Sequence, residues 1–240
     1  NRDLAAAVAG HAGPDRRRAV LIGAGSLDSQ LSADLAREGA FEWTIIDEDH
    51  LLPHNLVRHA LFATDIGAPK AAALAHRLSG LLGEPVAAIA CNVLKPDDQA
   101  APKLAAALKD ADIIIDASAS VAVSRHLSDL PDVAARRVCA LTLRDLEAQY
   151  HRFILTEPSL ARHLGTDGPG VRYTGSCRAL TNCIPASNAA ILSALAAKGI
   201  ASALADDGAA ITIWTLSTTG EVQRVQRKGA AVIRVSFGAW

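Results

Sequence analysis

The sequence contains no methionine, few aromatic residues and no surplus of charge of either sign. It has 240 residues, with 24 Lys or Arg against 25 Asp or Glu, so the formal net charge is −1. A nucleic-acid-binding domain usually carries a basic excess, so this balance argues against a nucleic-acid partner. Half of the residues are hydrophobic, which excludes an intrinsically disordered chain. Because the sequence lacks methionine and begins at Asn1, we expect it to be a segment of a larger protein.

Cysteines are scarce too, and the apolar runs are short. Four cysteines are too few for a secreted scaffold built on disulfides, and none forms a C-x-x-C pair of the zinc-binding kind. Cys91 and Cys139 lie in apolar segments, where we expect buried, inert thiols. No apolar run reaches the ~18 residues of a membrane span, and the start has no signal-peptide pattern. We therefore expect a cytoplasmic protein with no membrane partner.

Apolar strands alternate with amphipathic helices along most of the sequence. Residues 19–49 predict a β-α-β unit, in which the crossover helix makes the two strands parallel. The last 30 residues predict antiparallel strands joined by glycine turns. Further helices are predicted over 69–82, 102–111, 121–130 and 184–200, further strands over 86–94, 112–116, 135–143 and 148–156, and a crossover over 157–176.

This order of elements predicts an α/β fold. We expect a Rossmann-like, doubly wound, mostly parallel sheet with antiparallel C-terminal strands. Residues 1–18 are expected to form an N-terminal helix and a connector, and residues 19–240 a single domain.

The first predicted strand turns into its helix at Gly23-Ala24-Gly25. Glycines at such a turn let the backbone approach a phosphate, which the N-terminal amides of the helix stabilise. The full dinucleotide pattern has a third glycine where this sequence has Asp28. A carboxylate there suits the helix dipole but repels a phosphate. A tight turn with a purely structural role explains the two glycines about as well.

Acidic residues end the second and a later strand. Asp47 follows Gly25 by 22 residues, where an acidic side chain binds the ribose in NAD-binding and ATP-binding relatives of this fold. Asp116 ends a strand at the same sheet edge and can hold a metal ion. An acidic strand end that binds no ligand is the alternative for Asp47.

Asn55, Arg58 and Lys70 come directly after the expected ribose-binding residue. A nicotinamide enzyme has no use for them at this place, whereas a nucleotidyl transferase does. When a carboxylate attacks the α-phosphorus of ATP, cationic side chains and Mg²⁺ stabilise the charge on the phosphate oxygens. Singly, Arg58 or Lys70 would more often be a surface charge. Together and in this order they favour nucleotidyl transfer.

The string IGAGSL…IIDEDHLLPHNLVRH…IGAPKAAAL…DIIIDAS resembles the adenylation domain of the ThiF/MoeB/ubiquitin-activating-enzyme superfamily. The similarity is strong from about residue 19 to 130 and looser to about 200. It implies the following site: Gly23 and Gly25 at the nucleotide phosphates, Asp47 on the ribose, Asn55, Arg58 and Lys70 at the triphosphate, and Asp116 on Mg²⁺. The family usually has glycine at the position of Asp28.

The segment YTGSCRALTNCIPASNAAILSAL is similar to bacterial members associated with a ubiquitin-conjugating-like domain and a JAB-type protease. The resemblance implies a homodimeric enzyme that uses ATP and Mg²⁺ to adenylate the C-terminal carboxylate of a ubiquitin-like or sulfur-carrier protein. Cys177 is then the expected catalytic nucleophile that forms a thioester, with Arg178 favouring its thiolate. Cys183 as the nucleophile, or a structural thiol, is the alternative.

Two other functions stay open. One is adenylation of a peptide or of a carboxylate carried by tRNA, although the balanced charge argues mildly against tRNA. The other is a scaffold of the same fold that Asp28 has deprived of activity. An NAD-dependent oxidoreductase leaves Arg58 and Lys70 unexplained.

His50, His54 and His59 lie within ten residues, in what reads as a loop. No HExxH motif or cysteine ligand accompanies them. We therefore expect solvated histidines, or one that forms a hydrogen bond near the nucleotide, rather than a metal site.

Overall fold

The computed structural model describes residues 2–118, 120–130, 137–140, 144–146, 150–155, 186–205, 210–217, 222–228 and 231–236. The helices in these ranges are α1 (Arg2–Val8), α2 (Ser26–Arg37), α3 (Lys70–Leu82), α4 (Ala100–Asp110), α5 (Val121–Asp129) and α6 (Ala186–Ala205). The strands are β1 (Arg18–Ile22), β2 (Glu42–Ile46), β3 (Ala87–Ile89), β4 (Ile113–Asp116), β5 (Arg137–Ala140), β6 (Arg144–Leu146), β7 (Tyr150–Leu155), β8 (Ala210–Ser217), β9 (Val222–Lys228) and β10 (Ala231–Ser236).

The first five strands form a parallel sheet in the order β3-β2-β1-β4-β5. β1 lies in the middle, and Ile22 at its end pairs with both Ile46 of β2 and Asp116 of β4. The strand order therefore reverses direction at β1. In parallel α/β sheets such a reversal opens a crevice at the carboxyl ends of the strands, where ligands bind.

Helices cover both faces of the parallel sheet. On one face α2, α3 and α6 pack against β1 and β2 through side chains that include Leu31, Leu74 and Ile45. On the other face α4 and α5 pack on Val20 and Ile114, among others. Strands covered on both faces read as continuous apolar runs, which is why β1 and β4 are so apolar in sequence. The predicted doubly wound α/β fold is confirmed.

The remaining strands form an antiparallel sheet of their own, in the order β10-β9-β8-β7-β6. The three C-terminal strands match the segments predicted from alternating residues. The helix predicted over 184–200 is α6, which runs on to Ala205 and packs on α2. Among the described residues, no helix is both long and apolar enough to cross a bilayer.

One predicted strand is wrong in its length. The segment 86–94 forms a strand only over Ala87–Ile89, because the chain then turns. The side-chain oxygen of Asn92 accepts hydrogen bonds from the N–H groups of Leu94 and Lys95 at 2.8 and 3.1 Å, which closes that turn. Cys91 is buried as expected, just after the strand, and burial raises the pKa of its thiol. The crossover predicted over 157–176 lies outside the described residues.

Leu74 provides a test of this packing, because it is fully buried in α3 between the sheet and α2. We expect Leu74→Ala to lower the free energy of unfolding by about 2–5 kcal/mol, since it leaves a cavity. Leu81→Ala is the control, on the same helix but with 39% of Leu81 exposed, and it should cost less than about 1 kcal/mol. Urea denaturation measures both. Equal losses for the two variants would contradict the assigned face of α3.

Candidate functional site

The carboxyl ends of β1, β2 and β4 meet at one point of the sheet edge. The Gly23 N–H donates to the carbonyl of Ile46, and the Ala117 N–H donates to the carbonyl of Ile22, both at 2.8 Å. Gly23 has φ +106°, and a Cβ there would lie 2.9 Å from the Ala117 carbonyl oxygen. Only glycine fits this conformation and this close approach. The structure thus brings together Gly23 and the ends of the strands that carry Asp47 and Asp116, as predicted.

Three polar backbone groups of the glycine turn are bound by side chains. The Ala24 N–H donates to Oδ2 of Asp47 at 2.6 Å, and the Gly25 N–H donates to Oδ2 of Asp28 at 3.0 Å. The Ala24 carbonyl oxygen lies 2.7 Å from Nε2 of His59. Two consecutive amides of the glycine turn are therefore engaged by carboxyl groups of the chain itself.

Asp28 lies in the first turn of α2 with its side chain buried over the glycine turn. Burial raises the pKa of this carboxyl to about 8, and the negative charges of Asp47 and Asp116 act in the same direction. The hydrogen bond from Gly25 and the charge of Lys70 oppose the shift. The carboxyl occupies the inside of the turn, and a phosphate that binds the Gly25 N–H has to displace it.

Asp47 has a second structural contact besides Ala24. Its Oδ1 accepts a hydrogen bond from the Asp49 N–H at 2.7 Å. Burial raises the pKa of the Asp47 carboxyl, while these two hydrogen bonds hold it down. Each carboxylate oxygen has two acceptor sites, so Asp47 keeps capacity to accept hydrogen bonds from a ribose.

Lys70, at the first residue of α3, is 2% exposed and bonds to Asp49. Its Nζ lies 2.9 Å from Oδ2 of Asp49, and its N–H donates to the Asp49 carbonyl at 2.8 Å. The chain on either side is tied by hydrogen bonds from Leu51 to Ala68 and from Gly67 to Leu51. These hydrogen bonds place Lys70 beside the end of β2. Asp49 is a site residue that the sequence pattern did not indicate, although it follows Asp47 by two residues.

Asn55 and Arg58 lie in and just after a short 3-10 turn, Pro53–Val57. Oδ1 of Asn55 accepts the N–H of Leu52 at 2.9 Å, so this amide braces the turn. The carbonyl oxygen of Arg58 accepts hydrogen bonds from Ser26 and Gln30 of α2 at 3.1 and 2.6 Å. Arg58 is thereby placed beside the glycine turn.

His59 is the histidine that contacts the site. Its Nδ1 accepts the N–H of Leu61 at 3.2 Å, so Nε2 carries the proton and donates to Ala24. Burial lowers the pKa of His59 to about 4, and the charge of Lys70 adds to this effect. The ring is therefore neutral at physiological pH. His50 and His54 are exposed.

Asp116 is buried at the end of β4, and its Oδ1 accepts a hydrogen bond from the Ser118 hydroxyl at 2.7 Å. Within the described ranges, no group of three or more His, Cys, Asp or Glu residues has a metal-binding arrangement. A Mg²⁺ ion held by Asp116 remains a prediction. Cys177, the predicted nucleophile, and Cys183 lie outside the described residues.

The residues that meet at this sheet edge have side chains and a backbone turn of the kinds that can bind a nucleotide. A glycine turn, a strand-end carboxylate and a buried lysine lie together at the reversal point of the sheet. The charges of Asp47, Asp116 and Lys70 all act on the carboxyl of Asp28, and Lys70 is the buried cation among them. Such an acidic edge favours a triphosphate only when further cations accompany it.

The ThiF family matches residues 2–157 of the chain. Two curated relatives are both described as ATP-dependent ubiquitin transferase-like protein Cap2. The protein from Enterobacter hormaechei is 36% identical over 112 residues, which cover 47% of this chain and 18% of that protein. The protein from Vibrio cholerae is 33% identical over 117 residues, which cover 47% of this chain and 19% of that protein. The matched segment thus spans less than a fifth of either relative.

Solved structures show the same fold. Escherichia coli MccB, crystallised with ATP, superimposes with a TM-score of 0.55 at 16% identity, over 93% of this chain and 64% of MccB. PaaA superimposes with a TM-score of 0.58 at 16% identity, over 88% of this chain and 72% of PaaA. At this level of identity the likeness concerns the fold alone.

The raised pKa of Asp28 predicts how stability depends on pH. The folded state holds the proton up to about pH 8, while the ordinary value is 3.8, so the unfolded state releases it first. Stability contributed by the neutral carboxyl is therefore lost as the pH rises through this interval. We expect Asp28→Asn, which stays neutral, to gain stability relative to the unmodified chain as the pH increases from 5 to about 8.

Urea denaturation at several pH values measures this difference. Asp110→Asn is the control, because Asp110 is an exposed carboxylate at the end of α4. Its stability difference should stay constant over the same interval. A constant difference for Asp28→Asn as well would show that Asp28 is ionised in the folded protein.

Proposed function

Because the chain belongs to the ThiF family, we propose that it binds ATP at the glycine turn and adenylates a carboxylate. The observation that carries this proposal is the convergence of three features at the reversal point of the sheet. They are the glycine turn at the end of β1, the carboxylate of Asp47 after β2, and Lys70, which its contact with Asp49 holds at the same sheet edge.

Each of the predicted residues has a role in the proposal. The amides of Ala24 and Gly25 bind the phosphates, Gly23 allows the backbone its close approach, and Asp47 binds the ribose. Asn55, Arg58 and Lys70 act at the triphosphate, and Asp116 holds Mg²⁺. The acidic surroundings of Lys70 support the participation of Mg²⁺, which supplies positive charge when it is bound.

The proposed reaction is a displacement at the α-phosphorus. A carboxylate oxygen of the acceptor forms a bond to phosphorus while the bond from phosphorus to the bridging oxygen of pyrophosphate breaks. Negative charge then builds on the phosphate oxygens and on the leaving group. Arg58 and Lys70 stabilise that charge, and their value depends on being fixed before the reaction begins.

The acceptor we propose is the C-terminal carboxylate of a ubiquitin-like or sulfur-carrier protein. The two relatives described as ubiquitin transferase-like support this class at 33–36% identity. A peptide acceptor is the second candidate, because MccB has been crystallised with N-formylated MccA. That likeness has only 16% identity and carries less weight.

Several finer features belong to the same proposal. A thioester on Cys177 would follow adenylation, in a homodimer located in the cytoplasm. Residues 19–240 would form the activating domain of a larger protein, preceded by the helix and connector of residues 1–18. A ubiquitin-conjugating-like domain would accept the activated carrier.

Exchange of radioactive pyrophosphate into ATP tests the proposal. We expect exchange with a ubiquitin-like protein that has a free C-terminal carboxylate, and none with the same protein amidated at its C terminus. Lys70→Ala should reduce exchange by about 100-fold or more, the usual effect of losing a group that stabilises transition-state charge. Lys103→Ala, an exposed lysine on α4, is the matched control.

Two results would count against the proposal in different ways. If Lys70→Ala exchanged pyrophosphate at the full rate, Lys70 would not be part of the site. Absence of both exchange and ATP binding, restored by Asp28→Gly, would instead favour the inactive scaffold.

A further inference from the structure

Four hydrogen bonds hold residues 58–61, which we call the Arg58 loop, against the glycine turn and α2. They connect residues 58–60 to four positions between residues 24 and 30, across about 30 residues of intervening chain. The bonds are Ser26 Oγ to Arg58 O at 3.1 Å, Gln30 Nε2 to Arg58 O at 2.6 Å, His59 Nε2 to Ala24 O at 2.7 Å, and Ala60 N to Ser29 Oγ at 3.1 Å.

The contacts concentrate on one peptide group. The carbonyl of Arg58 accepts two donors, Ser26 and Gln30, so the plane between Arg58 and His59 has a defined orientation. The side chain of His59, the next residue, donates to the Ala24 carbonyl in the turn. Gln30 is half-buried, and its side-chain N–H donates to the loop through the Arg58 carbonyl at 2.6 Å.

We propose that Gln30 and His59 are positioning residues that hold Arg58 in register with the glycine turn. The inference rests on the proposed function, because it matters only if Arg58 acts on the triphosphate of ATP. Arginine has a long, flexible side chain, so its reach depends on where the backbone places its Cα. Because the Arg58 peptide is fixed, the Arg58 guanidinium samples fewer positions before the nucleotide binds.

His59 links the two parts of this arrangement. The same ring accepts the Leu61 N–H within the loop and donates to Ala24 in the turn. A neutral imidazole provides one donor and one acceptor, which is the combination that these two partners require. Loss of the ring disconnects the turn from the loop, whereas a glutamine at this position keeps a donor for Ala24.

The ratio of the affinities for ATP and AMP distinguishes a positioning role of Gln30 and His59 from a role in folding stability alone. Arg58 is proposed to act on the triphosphate and on its pyrophosphate leaving group, which AMP lacks, so a misplaced Arg58 weakens ATP binding more than AMP binding. We expect Gln30→Ala and His59→Leu each to weaken Mg-ATP binding by about five- to tenfold, the effect of one lost hydrogen bond. His59→Gln should recover most of the loss. Calorimetric titration with Mg-ATP and with AMP measures both affinities.

A double-variant comparison makes the test stricter. In an Arg58→Ala background, Gln30→Ala should cause no further loss of ATP affinity, because the residue that it positions is gone. Ser32→Ala is the matched control, since the Ser32 hydroxyl is buried in α2 and bonds only within the helix in the contacts described. It should leave both affinities unchanged, and thermal melts confirm that every variant is folded.

The outcomes distinguish this inference from the proposed function. Equal losses for ATP and AMP, or a further loss in the Arg58→Ala background, would overturn the positioning role. If Arg58→Ala lowered the affinity for Mg-ATP and Gln30→Ala did not, the positioning role would be overturned too, whereas the proposed binding of ATP at this site would stand. No binding of Mg-ATP by the unmodified chain, or full affinity in Arg58→Ala, would overturn the proposed role of the site and with it this inference.

Discussion

The polar groups of the glycine turn need partners, and the rest of the site is arranged around that requirement. A buried N–H or C=O without a hydrogen bond costs free energy, so a turn at the end of a buried strand must find acceptors and donors nearby. Asp28, Asp47 and His59 provide them from three separate segments of the chain. The turn is therefore the point at which α2, the end of β2 and the Arg58 loop are fixed to one another.

The sequence predicted the frame of this site better than its contacts. Apolar strands alternating with helices are enough to place Gly23, Asp47 and Asp116 at one edge, because parallel strands end together. The role of Gly23 as an obligatory glycine also follows from its position between a strand and a helix. His59 could not be assigned in the same way, since its partner Ala24 is 35 residues away and no periodic pattern links the two. The strand over 86–94 was overextended because Cys91 and Val93 are buried although the backbone has already turned.

Charge gives the site its particular character. The carboxyl groups of Asp28, Asp47 and Asp116 surround a region whose buried cation, Lys70, is already bonded to Asp49. Asp28 uses the Gly25 N–H in the way that a bound anion would, and its neutral form is favoured by burial. In the proposed function, nucleotide binding is an exchange, in which phosphate replaces the carboxyl of Asp28 and cations offset the added charge.

The central claim is that ATP binds at the glycine turn, and amide chemical shifts in ¹⁵N-labelled protein test it most directly. On titration with Mg-ATP, we predict large shifts for the N–H groups of Ala24 and Gly25, which lose Asp47 and Asp28 as partners. The indole N–H of Trp43, which donates to the Ala40 carbonyl at the opposite end of β2, should not move. Shifts at Trp43 with none at Ala24 and Gly25 would contradict the account.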